Sequence, residues 1–213
     1  MANIDFGTLF IVIGVLLFSL TVHEAAHAWS ADRLGDPTAR RLGRLSLNPA
    51  VHVDPVGTLL LPVLAFATGA PIIGWAKPVP VDVRRLPRGR RDFLLVAAAG
   101  PASNLVLAIG GAIVLRMVGS FESGLPETGV VEPVRLMADW AVRLNILLAV
   151  FNMLPIPPLD GGNVLSGLLP ERIAAVYDRL RSYGFLVLYG LLLSGLLSAW
   201  LGPPYRFLMR MLT

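Results

Sequence analysis

An apolar run from residue 7 to residue 31 ends in Thr21-Val22-His23-Glu24-Ala25-Ala26-His27-Ala28-Trp29, and no other feature narrows the possible folds as far. A run of that length spans a bilayer as a helix. Ionisable residues inside such a helix are costly in lipid, so His23, Glu24 and His27 must face a protein interior. Histidines four apart share one face of a helix, where two imidazoles can grip a zinc ion, and the glutamate between them can activate a water. The rest of the chain must therefore supply neighbouring helices, a third ligand and a place for substrate.

The chain is 55% hydrophobic and 15% charged, against roughly 25% charged in soluble domains. That balance reads as an integral membrane protein of one compact bundle. With no cysteine, disulfides and thiolate metal sites are excluded, which leaves His and carboxylate as ligands and suits catalytic zinc. Of the 18 basic residues, 17 are arginine. They sit mainly in loops between apolar segments, so membrane topology explains them better than nucleic-acid binding, and no nucleic-acid partner is expected.

Met1 to Thr8 carries no Lys or Arg, so the first segment is read as a retained transmembrane helix and not as a signal peptide. Residues 32 to 56 are polar, with turn signals at Gly35, Asp36-Pro37, Asn48-Pro49 and Asp54-Pro55. The apolar piece 57 to 70 is shorter than an ordinary span and holds Pro62, and is expected to be re-entrant or interfacial. A basic, proline-rich stretch follows at 71 to 92. Spans are expected at 93 to 118 and 134 to 154, the second breaking at Pro155-Ile156-Pro157-Pro158-Leu159-Asp160-Gly161-Gly162. Pro170 to Tyr183 reads as an amphipathic surface helix with Ile173, Val176, Tyr177 and Leu180 on one face. A last span at 184 to 201 precedes Gly202-Pro203-Pro204 and a short tail.

Charge orients this bundle. The loops at 32 to 56 and 71 to 92 together hold ten of the 18 basic residues and the 119 to 133 loop holds none, which puts both basic loops in the cytoplasm. Residues 57 to 70 must then enter and leave on one side. The HExxH and Asp160 both fall at cytoplasmic helix ends, within reach of one ion. Were 57 to 70 a full crossing, a bilayer core of roughly 30 Å would separate them.

Asp160 is thus the preferred third ligand, with an Asp-Gly turn as its plain structural role and His52 as its rival. Glu24 is expected to be the general base, a structural ion pair with a neighbouring arginine being the alternative. Asn152 lies seven residues after Asn145, near the metal end of its helix. It is a candidate to bind substrate backbone or steady the oxyanion, and a helix-packing hydrogen bond is an equal reading. Asn104 is read as packing, and Arg143 as snorkelling or pairing with Asp139.

These residues resemble the site-2 protease family of intramembrane zinc metalloproteases, in particular its short bacterial members. The stretches that carry the resemblance are His23-Glu24-Ala25-Ala26-His27-Ala28, Gly35-Asp36-Pro37-Thr38-Ala39, Gly43-Arg44-Leu45-Ser46-Leu47-Asn48-Pro49, His52-Val53-Asp54-Pro55-Val56-Gly57-Thr58, Gly74-Trp75-Ala76-Lys77-Pro78-Val79-Pro80, Ala99-Gly100-Pro101 with Asn104, and Asn152-Met153-Leu154-Pro155-Ile156-Pro157-Pro158-Leu159-Asp160-Gly161-Gly162. The resemblance implies an all-α polytopic membrane protein with a three-helix catalytic core at 7 to 31, 93 to 118 and 134 to 154. Residues 1 to 213 would form a single protease domain, its core at about 7 to 162 and further C-terminal helices at about 163 to 213. It implies zinc held by His23, His27 and Asp160, with Glu24 catalytic and Asn152 assisting. Transmembrane or membrane-anchored proteins would be the substrates, cut within or near the bilayer of a bacterial cell membrane, the active site toward the cytoplasm. The competing class is a non-enzymatic membrane metal-binding or transport protein, for which the paired repeats of a transporter are missing.

Overall fold

The computed structural model describes residues 6–60, 77–121 and 129–213. The first helix, α1 (Phe6–Arg33), runs unbroken through the motif. A short α2 (Thr38–Arg41) and tight turns follow, including a helical turn at Pro55–Leu60. The long α3 (Arg90–Phe121) and α4 (Val131–Asn152) form a hairpin with α1 beside it. Then come α5 (Asp160–Leu168), α6 (Glu171–Arg179), α7 (Gly184–Leu193) and α8 (Leu196–Leu212). The expected re-entrant segment at 57 to 70 lies mostly outside the described residues.

Polarity in α1 is inverted relative to a soluble helix. Ser19, Thr21, His23, Glu24 and His27 are buried, whereas Phe10, Ile13 and Phe18 are exposed. That is the arrangement of a helix with lipid outside and a polar interior. Trp29 and Arg33 stack at its end, the guanidinium 5.1 Å from the ring centroid, a pair suited to the membrane–water boundary.

Side-chain contacts set the helix directions. His27 meets Val96 and Gly100 of α3, and one turn earlier His23 meets Gly100 and Asn104, so α1 and α3 run antiparallel. Asn104 meets Asn145 and Gly111 meets Ala138 and Val142, so α3 and α4 are antiparallel as well. The apolar core of Ala108, Ala112, Val142 and Ile146 fills that hairpin, and Tyr205, Leu208 and Met209 of α8 close over it.

Among the described residues, α1 and α3 are long and apolar enough to cross a membrane, and a third span results if the bent pair Glu171–Leu193 and Leu196–Leu212 is taken as one. The expected span at 134 to 154 does fold as a helix. Its charges keep it less apolar than α1 and α3, and they pair along the helix, Arg135 with Glu132 and Arg143 with Asp139. Two further expectations need correction. Residues 155 to 162 do not merely break a helix; Asp160 opens α5, so its carboxylate sits at a helix N-terminus. The last span does not end at Gly202-Pro203-Pro204. The chain turns by 83° at Ser194-Gly195, where Gly195 has φ +75°, and α8 then continues through both prolines. The amphipathic segment forms where expected, with Ala174 buried and Ile173, Val176 and Leu180 exposed, as on an interfacial helix.

Candidate metal centre

The sequence of α1 turns His23 and His27 to the same face, and the side chains lie edge to face with their Nε2 atoms 3.1 Å apart. Two glycine-dependent approaches complete the centre. At Gly100 of α3 a Cβ would stand 2.3 Å from His27 Nε2, so only glycine lets that backbone close over the pair. At Gly161 a Cβ would stand 2.3 Å from the Met153 carbonyl oxygen, so glycine seats the start of α5 on the end of α4. Asp160 arrives between the imidazoles, Oδ2 at 3.1 Å from His23 Nε2 and Oδ1 at 3.4 Å from His27 Nε2. Among the described residues these three are the group of His, Asp and Glu side chains close enough to share one cation.

Their hydrogen bonding tests whether a divalent metal fits. His27 Nδ1 lies 2.7 Å from the Val96 carbonyl. A carbonyl only accepts, so Nδ1 carries the proton and Nε2 presents its lone pair to the centre. Asp160 Oδ2 is buried and accepts no hydrogen bond although polar atoms surround it. Acceptors converging without a donor call for a cation, and two imidazoles with a carboxylate are the donor set of catalytic zinc sites. The residues fit the metal.

Glu24 sits beside the pair, and its Oε2 accepts the Val79 backbone N–H at 3.0 Å. In the sequence Val79 figures only within the Gly74 to Pro80 stretch of the family resemblance, with no role of its own. The segment 77 to 82 that carries it is pinned from several sides. Arg44, buried, donates to the Lys77 and Pro78 carbonyls; the His52 carbonyl accepts the Lys77 N–H; buried Asp36 accepts the Asp82 N–H. The Asp82 side chain in turn bonds Arg84, which holds its carboxyl below the usual carboxylate range. His52 itself is not in the centre, its Nε2 donating to the Ser46 carbonyl at 2.9 Å.

Asn104, read as packing, bridges helices through His23, its Oδ1 2.6 Å from Nδ1, and both it and Asn145 are buried. Asn152, at the end of α4, donates to the Leu148 carbonyl one turn back at 3.0 Å. Along another face of α1 runs an open apolar groove of about 430 Å³, lined by Val22, Ala25, Ala26, Trp29, Leu45 and Leu47.

The chain is similar to proteins named as zinc metalloproteases. YwhC of Bacillus subtilis (strain 168), named as a zinc metalloprotease, is 39% identical over 196 residues, 88% of this chain and 82% of that protein. The chain belongs to peptidase family M50, the site-2 protease family. The M50 model matches residues 117–195, which hold Asp160 but not the HExxH, while the likeness to YwhC extends over most of the chain. Two relatives named Rip2 are also described as zinc metalloproteases. That of Mycolicibacterium smegmatis is 32% identical over 91% of this chain and 71% of its own length, and that of Mycobacterium tuberculosis (strain H37Rv) is 30% identical with the same coverage. No solved structure matches the chain.

Proposed function

We propose that this M50 peptidase is an intramembrane zinc metalloprotease of the bacterial cell membrane. It hydrolyses peptide bonds of transmembrane or membrane-anchored proteins within or near the bilayer, with its active site toward the cytoplasmic side. The observation that carries the reading is the convergence of two imidazoles and a carboxylate, with Glu24 alongside, inside a bundle whose outer face is apolar. Zinc chemistry is also in the names of YwhC and Rip2. The single domain of residues 1 to 213 belongs to the same proposal.

His23 and His27 would hold zinc through Nε2 and Asp160 through its carboxylate. When bound, zinc supplies Lewis acidity, acidifying a water and polarising a peptide carbonyl. Glu24 takes the proton of the attacking water on its carboxylate and passes it to the leaving amine nitrogen. The Val79 N–H holds one Glu24 oxygen, which fixes the plane of the carboxylate and leaves the other oxygen for the proton. The Asn152 amide, released from Leu148, steadies the oxyanion. The apolar groove along Val22, Ala25, Ala26 and Trp29 suits an apolar substrate segment.

The test is cleavage of a reconstituted transmembrane substrate by the purified chain, with Glu24→Gln in parallel. The wild type cleaves, a chelator stops it and zinc restores it, while Glu24→Gln keeps its zinc and loses at least about 100-fold in kcat. Equal cleavage by both would remove Glu24 as base. A zinc-loaded wild type that cleaves nothing would favour the metal-binding or transport class. For Asn152→Ala, kcat falls about 100-fold with zinc content unchanged; an unaltered kcat removes the oxyanion role.

A further inference from the structure

We propose that Asn104 is a positioning residue that fixes the tautomer of His23, and that its orientation is read, through Asn145, from the backbone carbonyl of Ala141. The inference rests on the metal reading above and extends it to residues outside the ligand set.

For His27 the tautomer follows directly, because Nδ1 faces a backbone carbonyl. For His23 it does not, because Nδ1 faces a side-chain amide, and an amide offers either an acceptor or a donor. The far end of the chain of contacts decides. The Asn145 amide nitrogen lies 2.8 Å from the Ala141 carbonyl and 2.9 Å from Ser19 Oγ. The carbonyl can only accept, and the Ser19 hydroxyl spends its proton on the Val15 carbonyl at 2.7 Å, so it too accepts. Asn145 must therefore direct its NH2 at both. Its oxygen then faces Asn104 at 2.8 Å, which obliges Asn104 to present its NH2 there and its oxygen to His23 at 2.6 Å. An oxygen facing Nδ1 requires Nδ1–H, and the His23 Nε2 is left with its lone pair toward His27 and Asp160.

Asn104, Asn145 and Ser19 are each at most 1% exposed. No bulk water reaches them to rescue a reversed chain, in which two oxygens would face each other at Ala141. The consequence falls on the metal centre. With the opposite tautomer, His23 Nε2–H would stand 3.1 Å from both Asp160 Oδ2 and His27 Nε2 and satisfy the cluster by itself. The polar chain through α1, α3 and α4 thus makes the cluster an acceptor-only cradle, and a cation need displace no proton from His23.

Two replacements of Asn104 separate this from packing. Asn104→Leu removes the acceptor, and Asn104→Asp keeps an oxygen for His23 while losing the donor to Asn145. Zinc affinity is measured in detergent by competition with a chromophoric chelator, and thermal unfolding is followed beside it. Asn104→Leu loses about 10- to 100-fold in zinc affinity, the range for removing a partner of a ligating histidine. Asn104→Asp stays within about threefold of wild type in affinity, although both variants lower the melting temperature. Affinity that instead tracks melting temperature, both variants losing equally, overturns the proposal. The second readout needs neither zinc nor a variant of Asn104. The chain has three histidines, so the ring 15N shifts of the metal-free wild type, assigned by single replacement, report each tautomer. His23 in the Nδ1–H form is the expected result, and the Nε2–H form refutes the idea even if Asn104→Leu fails to fold. Were the wild type to bind no zinc, the metal reading would fall while the tautomer spectrum still judged Asn104.

Discussion

At the scale of the residue, the centre depends as much on what is small as on what ligates. Gly100 has no Cβ to meet His27 Nε2 at 2.3 Å and His23 Cε1 at 2.6 Å. Gly100→Ala therefore forces the imidazoles or α3 to shift, and we expect at least a tenfold loss of zinc affinity, about the effect of disturbing a ligand's support. Overpacking of this kind also costs about 1–3 kcal/mol of stability. Zinc titration together with thermal melting checks both, and an unchanged affinity would show that the cradle yields without cost. His23, Glu24 and His27 were legible in the sequence because their relation is local, set by 3.6 residues per turn. Gly100, Asn104 and Val79 were not. Their roles come from the register of α3 against α1 and the path of 77 to 82 over Glu24, and a single sequence states neither.

At the scale of the element, α1 works through two faces. One carries His23 and His27 toward α3 and α5; another carries Val22, Ala25, Ala26 and Trp29 along the open groove. If substrate lies in the groove, Ala26→Trp fills part of it without touching a ligand. KM for an apolar substrate should then rise about tenfold, or 1.4 kcal/mol of binding, with zinc affinity as in the wild type. Steady-state cleavage kinetics decide, and an unmoved KM would send the substrate by another route. Element lengths were readable from apolar runs, but their ends less so. The adjacent prolines at 203 and 204 looked like the stop of the last helix. The actual stop is Gly195, because a left-handed residue reverses the backbone, whereas helices in apolar surroundings tolerate proline. Asp160 at the head of α5 was similarly hidden: Pro157-Pro158 advertises a break, and only the docking permitted by Gly161 and Gly162 turns the following residues into a helix.

At the scale of the whole molecule, bringing His23, His27 and Asp160 within one ion's reach requires α1 and α4 to deliver their C-terminal ends to one side, with α3 returning between them. The charge pattern pointed to the same arrangement from different residues, since the segments beside those ends hold Arg40, Arg41, Arg44, Arg84, Arg85, Arg88 and Arg91. Two independent constraints thus favour one topology, and it can be tested cleanly because the chain has no cysteine. Leu42, 63% exposed, follows α2 on the basic side, and Val130, 71% exposed, precedes α4 on the other. In intact cells a membrane-impermeant thiol reagent should label Val130→Cys and leave Leu42→Cys unlabelled until the membrane is opened. The reverse pattern would invert the molecule and put the metal centre on the outer side. Labelling of both from outside would mean that α1 and α3 do not each cross the bilayer, and the shared depth of HExxH and Asp160 would then need another cause.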